Sequence, residues 1–170
     1  MELKSYIRDI QDFPKPGIMF KDITPLLANP EAAGYCLEKL VAGINGKQID
    51  KVVGIESRGF FFGTLLAHEL NAGFVPVRKP KKLPFTTHSA SYELEYGTDS
   101  LEIHTDAILP GERVLIHDDV LATGGTARAV CRLVEKMGGI IVQCNFIMEL
   151  TFLNGREKIS PYEVYAPLIY

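Results

Sequence analysis

Residues 113–130 read RVLIHDDVLATGGTARAV, and the fold turns on how this stretch is parsed. Val114, Leu115 and Ile116 are a short, largely β-branched apolar run of the kind that fills a strand buried on both faces, and the run stops at two carboxylates, Asp118 and Asp119. Thr123, Gly124, Gly125 and Thr126 form the turn that follows. Across residues 127–137, Val130, Leu133, Val134 and Met137 keep the i, i+3, i+4, i+7 spacing of an amphipathic helix. The order is therefore strand, acid pair, glycine turn, helix.

Each part of that order has a chemical use. Adjacent glycines let the backbone take positive φ and approach a ligand closely, while the start of a helix offers unpaired N–H groups and the positive end of its dipole. An anion such as phosphate belongs there. The hydroxyls of Thr123 and Thr126 add donors, so a phosphate monoester could be surrounded without a lysine. Ionised carboxylates only accept hydrogen bonds, so the acids suit hydroxyls, a divalent cation or a developing positive charge. Taken singly, a Gly-Gly turn is ordinary and an acid pair can simply cap a sheet; together they are far more specific than a lone G-x-G-x-x-G. The chain carries neither that motif nor the G-x-x-x-x-G-K-[ST] of P-loop proteins.

VLIHDDVLATGGTA, residues 114–127, resembles the phosphoribosyl-pyrophosphate motif of the type I phosphoribosyltransferases, in the form carried by their adenine-specific members. The resemblance implies a reaction: adenine and 5-phosphoribosyl 1-pyrophosphate give AMP and pyrophosphate, with Mg2+. It assigns the substrate to Val120, Leu121, Ala122, Thr123, Gly124, Gly125 and Thr126, the last five around the ribose 5-phosphate, and the sugar 2- and 3-hydroxyls to Asp118 and Asp119. Substrate and water would mainly hold the metal, near the two acids, with no direct protein ligand. His117 stands where the family usually has an aliphatic residue.

Four further segments match. FKDITPLL at residues 20–27 could be an apolar cover over the core, but it resembles the family's base-recognition segment, in which Met19 and Lys21 would offer main-chain hydrogen bonds to adenine and Phe20 would stack on it. ESRGF at residues 56–60 lies at a strand's C-terminal end, where ligands bind in open α/β sheets. Arg58 there could serve only in a surface ion pair with Glu56 or Glu69. The resemblance instead makes Glu56, Ser57 and Arg58 the pyrophosphate loop, with a non-proline cis peptide at Glu56-Ser57. Arg78, Lys79, Lys81 and Lys82 crowd a proline-bearing loop that is either solvated or an anion grip. In the family Arg78, Lys79 and Lys82 would reach pyrophosphate, Arg78 often in the partner subunit of a homodimer, and Lys81 replaces a usual glycine. YELEYG at residues 92–97 resembles the segment in which Glu95 handles a proton at the purine and Tyr96 contacts the substrate from a flap.

Periodicity sets out the remaining elements. Leu3, Ile7 and Ile10 predict a short helix over residues 2–12, stopped by the FPKPG run. Residues 19–27 read as a loop, 30–45 as a helix closed by Gly46, 51–55 as a strand, 60–70 as a helix and 74–77 as a strand. Alternation at 91–97 and 101–104 predicts a hairpin turning at 97–100, with 140–150 a further strand and an Asn154-Gly155 turn before an edge strand or irregular tail. Strands alternating with helices predict one doubly wound α/β domain with a mostly parallel sheet, a flap at 78–104 and an N-terminal hood at 1–30.

Composition narrows the function classes. A chain of 170 residues with 46% hydrophobic and 23% charged content fits one ordinary globular domain. Net charge −3 argues against a broad nucleic-acid surface, and no run of apolar residues suits a membrane span or leader, so a cytoplasmic setting is expected. Cys36, Cys131 and Cys144 suggest neither a disulfide framework nor a zinc site, and His68, His88, His104 and His117 lack metal-ligand spacing. Two alternatives stay open: a non-catalytic regulator that binds the same ligands, and the same transferase acting on xanthine, hypoxanthine or guanine.

Overall fold

The computed structural model describes residues 1–93 and 98–170. It divides into two compact units, Met1–Lys39 and Leu40–Tyr170.

In the first unit a 3-10 turn, Leu3–Tyr6, leads into strands β1 (Arg8–Gln11) and β2 (Met19–Asp22), helix α1 (Thr24–Ala28) and most of helix α2 (Pro30–Ala42). The helix expected over 2–12 does not form. Leu3 and Ile7 are buried, but Ile10 pairs with Phe20 across an antiparallel hairpin, so the apparent helical spacing joins two different elements. Asp12, at φ 58°, closes that hairpin by accepting the Gly17 N–H at 2.7 Å. The loop expected at 19–27 is likewise ordered as β2 and α1, with Pro25 in the first turn of the helix, where its missing N–H costs nothing.

The second unit holds β3 (Lys51–Ile55), α3 (Gly59–Glu69), β4 (Gly73–Val77), β5 (Thr87–Glu93), β6 (Thr98–His104), β7 (Arg113–Leu121), α4 (Gly125–Lys136), β8 (Ile140–Glu149), a 3-10 turn at Thr151–Leu153, α5 (Gly155–Lys158), β9 (Val164–Tyr165) and β10 (Leu168–Ile169). The main sheet runs β10-β8-β7-β3-β4 with β9 also on β8, and every pairing is parallel. This is the doubly wound architecture expected. Because side chains alternate along a strand, each face takes its own helix. Val53, Ile55, Val75, Val77, Val114, Ile116, Cys144 and Phe146 share a core with Val130, Leu133, Val134 and Met137 of α4. On the opposite face α3 comes so close to β3 that a Cβ on Gly63 would lie 3.6 Å from the Gly54 Cα, with the Phe74 ring filling the remaining space.

Strand β7 lies at the centre between β3 and β8, and its entry is pinned where Arg113 binds Asp50 through its backbone N–H, Nε and Nη2 at 2.7–2.8 Å. The strand does not stop at the acids. It continues through Asp118 and Asp119 to Leu121, because Asp118, Val120 and Leu121 keep their pairing with β8. The hairpin forms as β5 and β6, but Thr98 to Ser100 belong to β6 rather than to the turn, and Gly97 of the expected turn lies outside the described residues. The tail contributes one helical turn and two short parallel strands.

Candidate active site

Gly124 sets the phosphate loop. It is the N-cap of α4 at φ 79°, a left-handed conformation that favours glycine, and a Cβ there would run into the carbonyl oxygen of Gly155. Gly155 is equally confined, since its own Cβ would meet the carbonyl of Ala122. The two glycines therefore interlock the loop with the start of α5, a contact that the Asn-Gly pair hinted at only as a turn. Gly125 differs from the expectation of two conformationally special glycines. It has no positive φ, and a Cβ on it would find its nearest neighbour 3.7 Å away.

The loop walls a cavity of about 200 Å3 lined by every residue from Asp118 to Ala127, together with Arg58 and Phe146. A second cavity, about 310 Å3, is lined by Glu56, Ser57, Arg58, Lys79, Tyr92, Asp118, Asp119 and Thr126, with Ile55 and Leu101 at its apolar side. The two share Arg58, Asp118, Asp119 and Thr126, so the acid pair lines both the cavity walled by the glycine loop and the cavity walled by Glu56–Arg58 and Lys79.

Asp119 is 2% exposed and its Oδ2 lies 2.8 Å from Arg58 Nε. No donor among the described residues is aligned on that oxygen as a hydrogen bond, so the contact is electrostatic. Burial raises the Asp119 pKa while Arg58 pulls it back; Asp118 is raised well above the usual carboxylate range by burial and then by the Asp119 charge. Asp118 Oδ1 accepts the Asp119 N–H at 2.9 Å. With Asp119 buried and Asp118 half-buried, the pair is a concentration of negative charge that a cation or hydroxyl donors would relieve.

Glu56 organises the basic loop. It receives Arg78 Nε at 3.2 Å and Nη2 at 2.9 Å, together with the Lys79 N–H at 2.9 Å, and the Arg78 hydrogen bonds hold its carboxyl below the usual range. Lys79 reaches Asp99 at 2.7 Å, and Tyr92 places its hydroxyl against Asp99 and Thr126. Within the chain Arg78 is thus held by Glu56 and by the Lys82 carbonyl, and of the basic loop only Lys79 lines the cavity among the described residues. The clamping role of Glu56 and the Asp99–Tyr92 support are not legible in the sequence, where Asp99 reads as a turn residue. The Glu56-Ser57 peptide is cis, and Lys81 takes the left-handed φ of 66° that a glycine would adopt without strain.

Met19, Phe20 and Lys21 lie on β2 of the first unit, opposite Gln11, Ile10 and Asp9 of β1. Phe20 meets the Phe13 ring edge-on at 5.0 Å, and Lys21 Nζ binds Asp9 at 2.6 Å. Glu95 and Tyr96 fall outside the described residues. Beneath the acids, His117 is fully buried, shares a 3.0 Å hydrogen bond through Nδ1 with Asn145 Oδ1, and has its pKa lowered to about 4 by burial, so it is neutral at pH 7. Asn145 continues to Gln143 at 3.2 Å and Gln143 to Glu163 at 2.8 Å.

No group of three or more metal-ligating side chains occurs among the described residues, and no helix among them is long and apolar enough to cross a membrane. All three cysteines are free and buried, Cys131 and Cys144 with sulfurs 3.8 Å apart.

A parallel sheet whose central strand carries an acid pair near its C-terminal end and leads through a glycine turn into a helix is the architecture of a phosphoribosyltransferase domain, and the family profile described as "Phosphoribosyl transferase domain" matches residues 24–162. The chain is 74% identical over 170 residues to the adenine phosphoribosyltransferase of Flavobacterium johnsoniae, covering all of both chains. It superposes on the crystal structure of the Rhodothermus marinus adenine phosphoribosyltransferase with TM-score 0.95 at 57% identity, covering 99% of this chain and 96% of that one. The Saccharomyces cerevisiae enzyme, solved with an imino-altritol bisphosphate and adenine, matches with TM-score 0.92 at 43% identity, covering 97% and 96%. The chain belongs to the adenine phosphoribosyltransferase family of type I phosphoribosyltransferases.

Proposed function

We propose that the chain transfers phosphoribose from 5-phosphoribosyl 1-pyrophosphate to adenine, forming AMP and pyrophosphate in purine salvage. The observation that carries this reading is the acid pair shared by two cavities, one walled by the phosphate loop and the other by Arg58 and Lys79. That layout fits a substrate with a sugar between two anionic ends. The yeast relative, solved with adenine and a sugar-like bisphosphate, supports the same substrate pair.

In this reading residues 122–126 hold the 5-phosphate through backbone N–H groups and the Thr123 and Thr126 hydroxyls. The backbone of the Glu56–Ser57–Arg58 turn, the Arg58 guanidinium and Lys79 hold the pyrophosphate, while the Glu56 carboxylate holds Arg78. As the bond from the anomeric carbon to pyrophosphate breaks and the adenine nitrogen approaches, positive charge develops on the ribose, and the Asp118 and Asp119 carboxylates stabilise it while binding its hydroxyls. Met19 and Lys21 offer main-chain hydrogen bonds to the base with Phe20 as the stacking ring, and Glu95 exchanges a proton with the purine while Tyr96 covers it. The donor set of two adjacent carboxylates, Asp119 buried and Asp118 half-buried, fits Mg2+ carried mainly by substrate oxygens near them, and the ion would neutralise the departing pyrophosphate. We also read the enzyme as a cytoplasmic homodimer; for Arg78 to serve a partner's site it must leave Glu56.

The test is pyrophosphate release with adenine, hypoxanthine, guanine and xanthine in turn, with and without Mg2+. Adenine-dependent turnover that needs Mg2+ is expected. Binding without turnover on any base would favour the non-catalytic regulator, and turnover on another purine would overturn the base assignment.

A further inference from the structure

We propose that the cleft between the β5–β6 hairpin and the exposed side of α4 is a second anion site, which takes a phosphate-bearing metabolite and acts on the first through Tyr92 and Gly125. The cleft has a volume of about 480 Å3, within the range of small-molecule sites, and Arg128, Arg132 and Lys158 line it against one acid, Glu93. Three cations gathered in one cleft are notable in a chain of net charge −3.

Their surroundings do little to offset that charge. Arg132 and Lys158 are exposed and make no hydrogen bond or ion pair among the described residues. Among the described residues the Arg128 side chain reaches only Glu135, at 3.6 Å, and that carboxylate also accepts the Tyr162 hydroxyl. Arg128 and Arg132 stand one helical turn apart, where like charges repel. A phosphate would relieve this repulsion, and guanidinium forks match its oxygens in a bidentate way. The space left beyond a single phosphate, with the Tyr92 ring in its wall, accommodates a nucleotide.

Coupling follows from the shared residues. Tyr92 lines both this cleft and the cavity that contains Lys79, and its hydroxyl lies 3.2 Å from Asp99, the carboxylate that holds Lys79. Gly125 belongs to the cleft and to the phosphate loop. An anion drawn against Arg128 and Arg132 therefore bears on the residues that position the pyrophosphate side of the first site.

The experiment is calorimetric titration of ATP, and separately of inorganic phosphate, into protein saturated with AMP, so that the first site is filled under the function proposed above. A further binding event is expected, weakened about tenfold in an Arg132→Ala, Lys158→Ala double variant whose AMP affinity and thermal midpoint are unchanged. Binding of ATP but not phosphate identifies a nucleotide; equal binding of both identifies the phosphate group alone. No event after AMP saturation, or equal affinity in the variant, overturns the site. Failure of AMP itself to bind counts against the transferase reading only, and the second site is then read from the difference between wild type and the variant without AMP.

Discussion

Arg58 Nε lies 2.8 Å from Asp119 Oδ2, joining a side chain 38% exposed to one that is 2% exposed. In the proposed reading the cation that meets pyrophosphate is thereby tied to the acid that meets the ribose, so pyrophosphate and Asp119 would draw on the same guanidinium. Arg58→Ala should leave Asp119 buried without its countercharge. Removing one partner of a fully buried pair costs about 3–5 kcal/mol, and solvent screening at Arg58 reduces the expected loss to about 1–2 kcal/mol. Because the missing cation raises the Asp119 pKa further, the loss should grow as pH rises and fade at acid pH, where Asp119 is protonated. Chemical denaturation across pH measures it; a pH-independent loss would show that the pair is not responsible.

Asp118 makes the opposite prediction. Burial and the Asp119 charge raise its pKa above the ordinary 3.8, so the folded state binds this proton more tightly than the unfolded state. Stability from that proton is present below the unfolded value and is lost as pH rises through the folded one. Asp118→Asn should therefore raise the thermal midpoint at pH 8, with the gap closing toward pH 4, while turnover falls roughly 10²–10³-fold. A lowered midpoint at pH 8 would contradict the strained acid pair.

The two loop glycines should separate cleanly. Gly124→Ala must hold a left-handed φ of 79° and displace the Gly155 carbonyl, whereas Gly125→Ala meets nothing closer than 3.7 Å. The first should cost at least the about 1–2 kcal/mol of the left-handed conformation and abolish measurable phosphoribosyl-pyrophosphate binding. The second should fold with a near-native midpoint, and any loss it shows should be confined to ligand affinity. Equal destabilisation by both, in paired melting curves, would refute the distinction.

His117→Leu restores the kind of side chain usual at that position but leaves Asn145 Oδ1 without the His117 hydrogen bond, at a cost of about 1–3 kcal/mol. The imidazole pKa falls from 6.5 to about 4 on folding, so wild-type stability from this group is present above 6.5 and is lost as pH falls through 4. The penalty of the substitution should shrink over that window. Urea midpoints at pH 7.5 and 4.5 test this, and a constant difference would argue against a neutral buried imidazole.

Residues 113–137 carried the strand, the acids, the turn and the helix in one continuous reading, because each depends on local spacing: β-branched burial, paired carboxylates, glycine and a 3.6-residue stripe. The same local logic failed at residues 2–12, where Leu3, Ile7 and Ile10 mimic a helix although they serve a turn and a hairpin. It also ended β7 too early, since a parallel strand paired with β8 can bury Asp119 that sequence alone would place at an end. Contacts between distant segments were decided only by the tertiary structure. Gly155 against Gly124, Arg58 on Asp119, Glu56 clamping Arg78 and His117 on Asn145 each join residues whose proximity depends on chain crossing and strand order. Periodicity records which face a residue presents, whereas ion-pair choice and buried polar satisfaction depend on what the fold brings to that face.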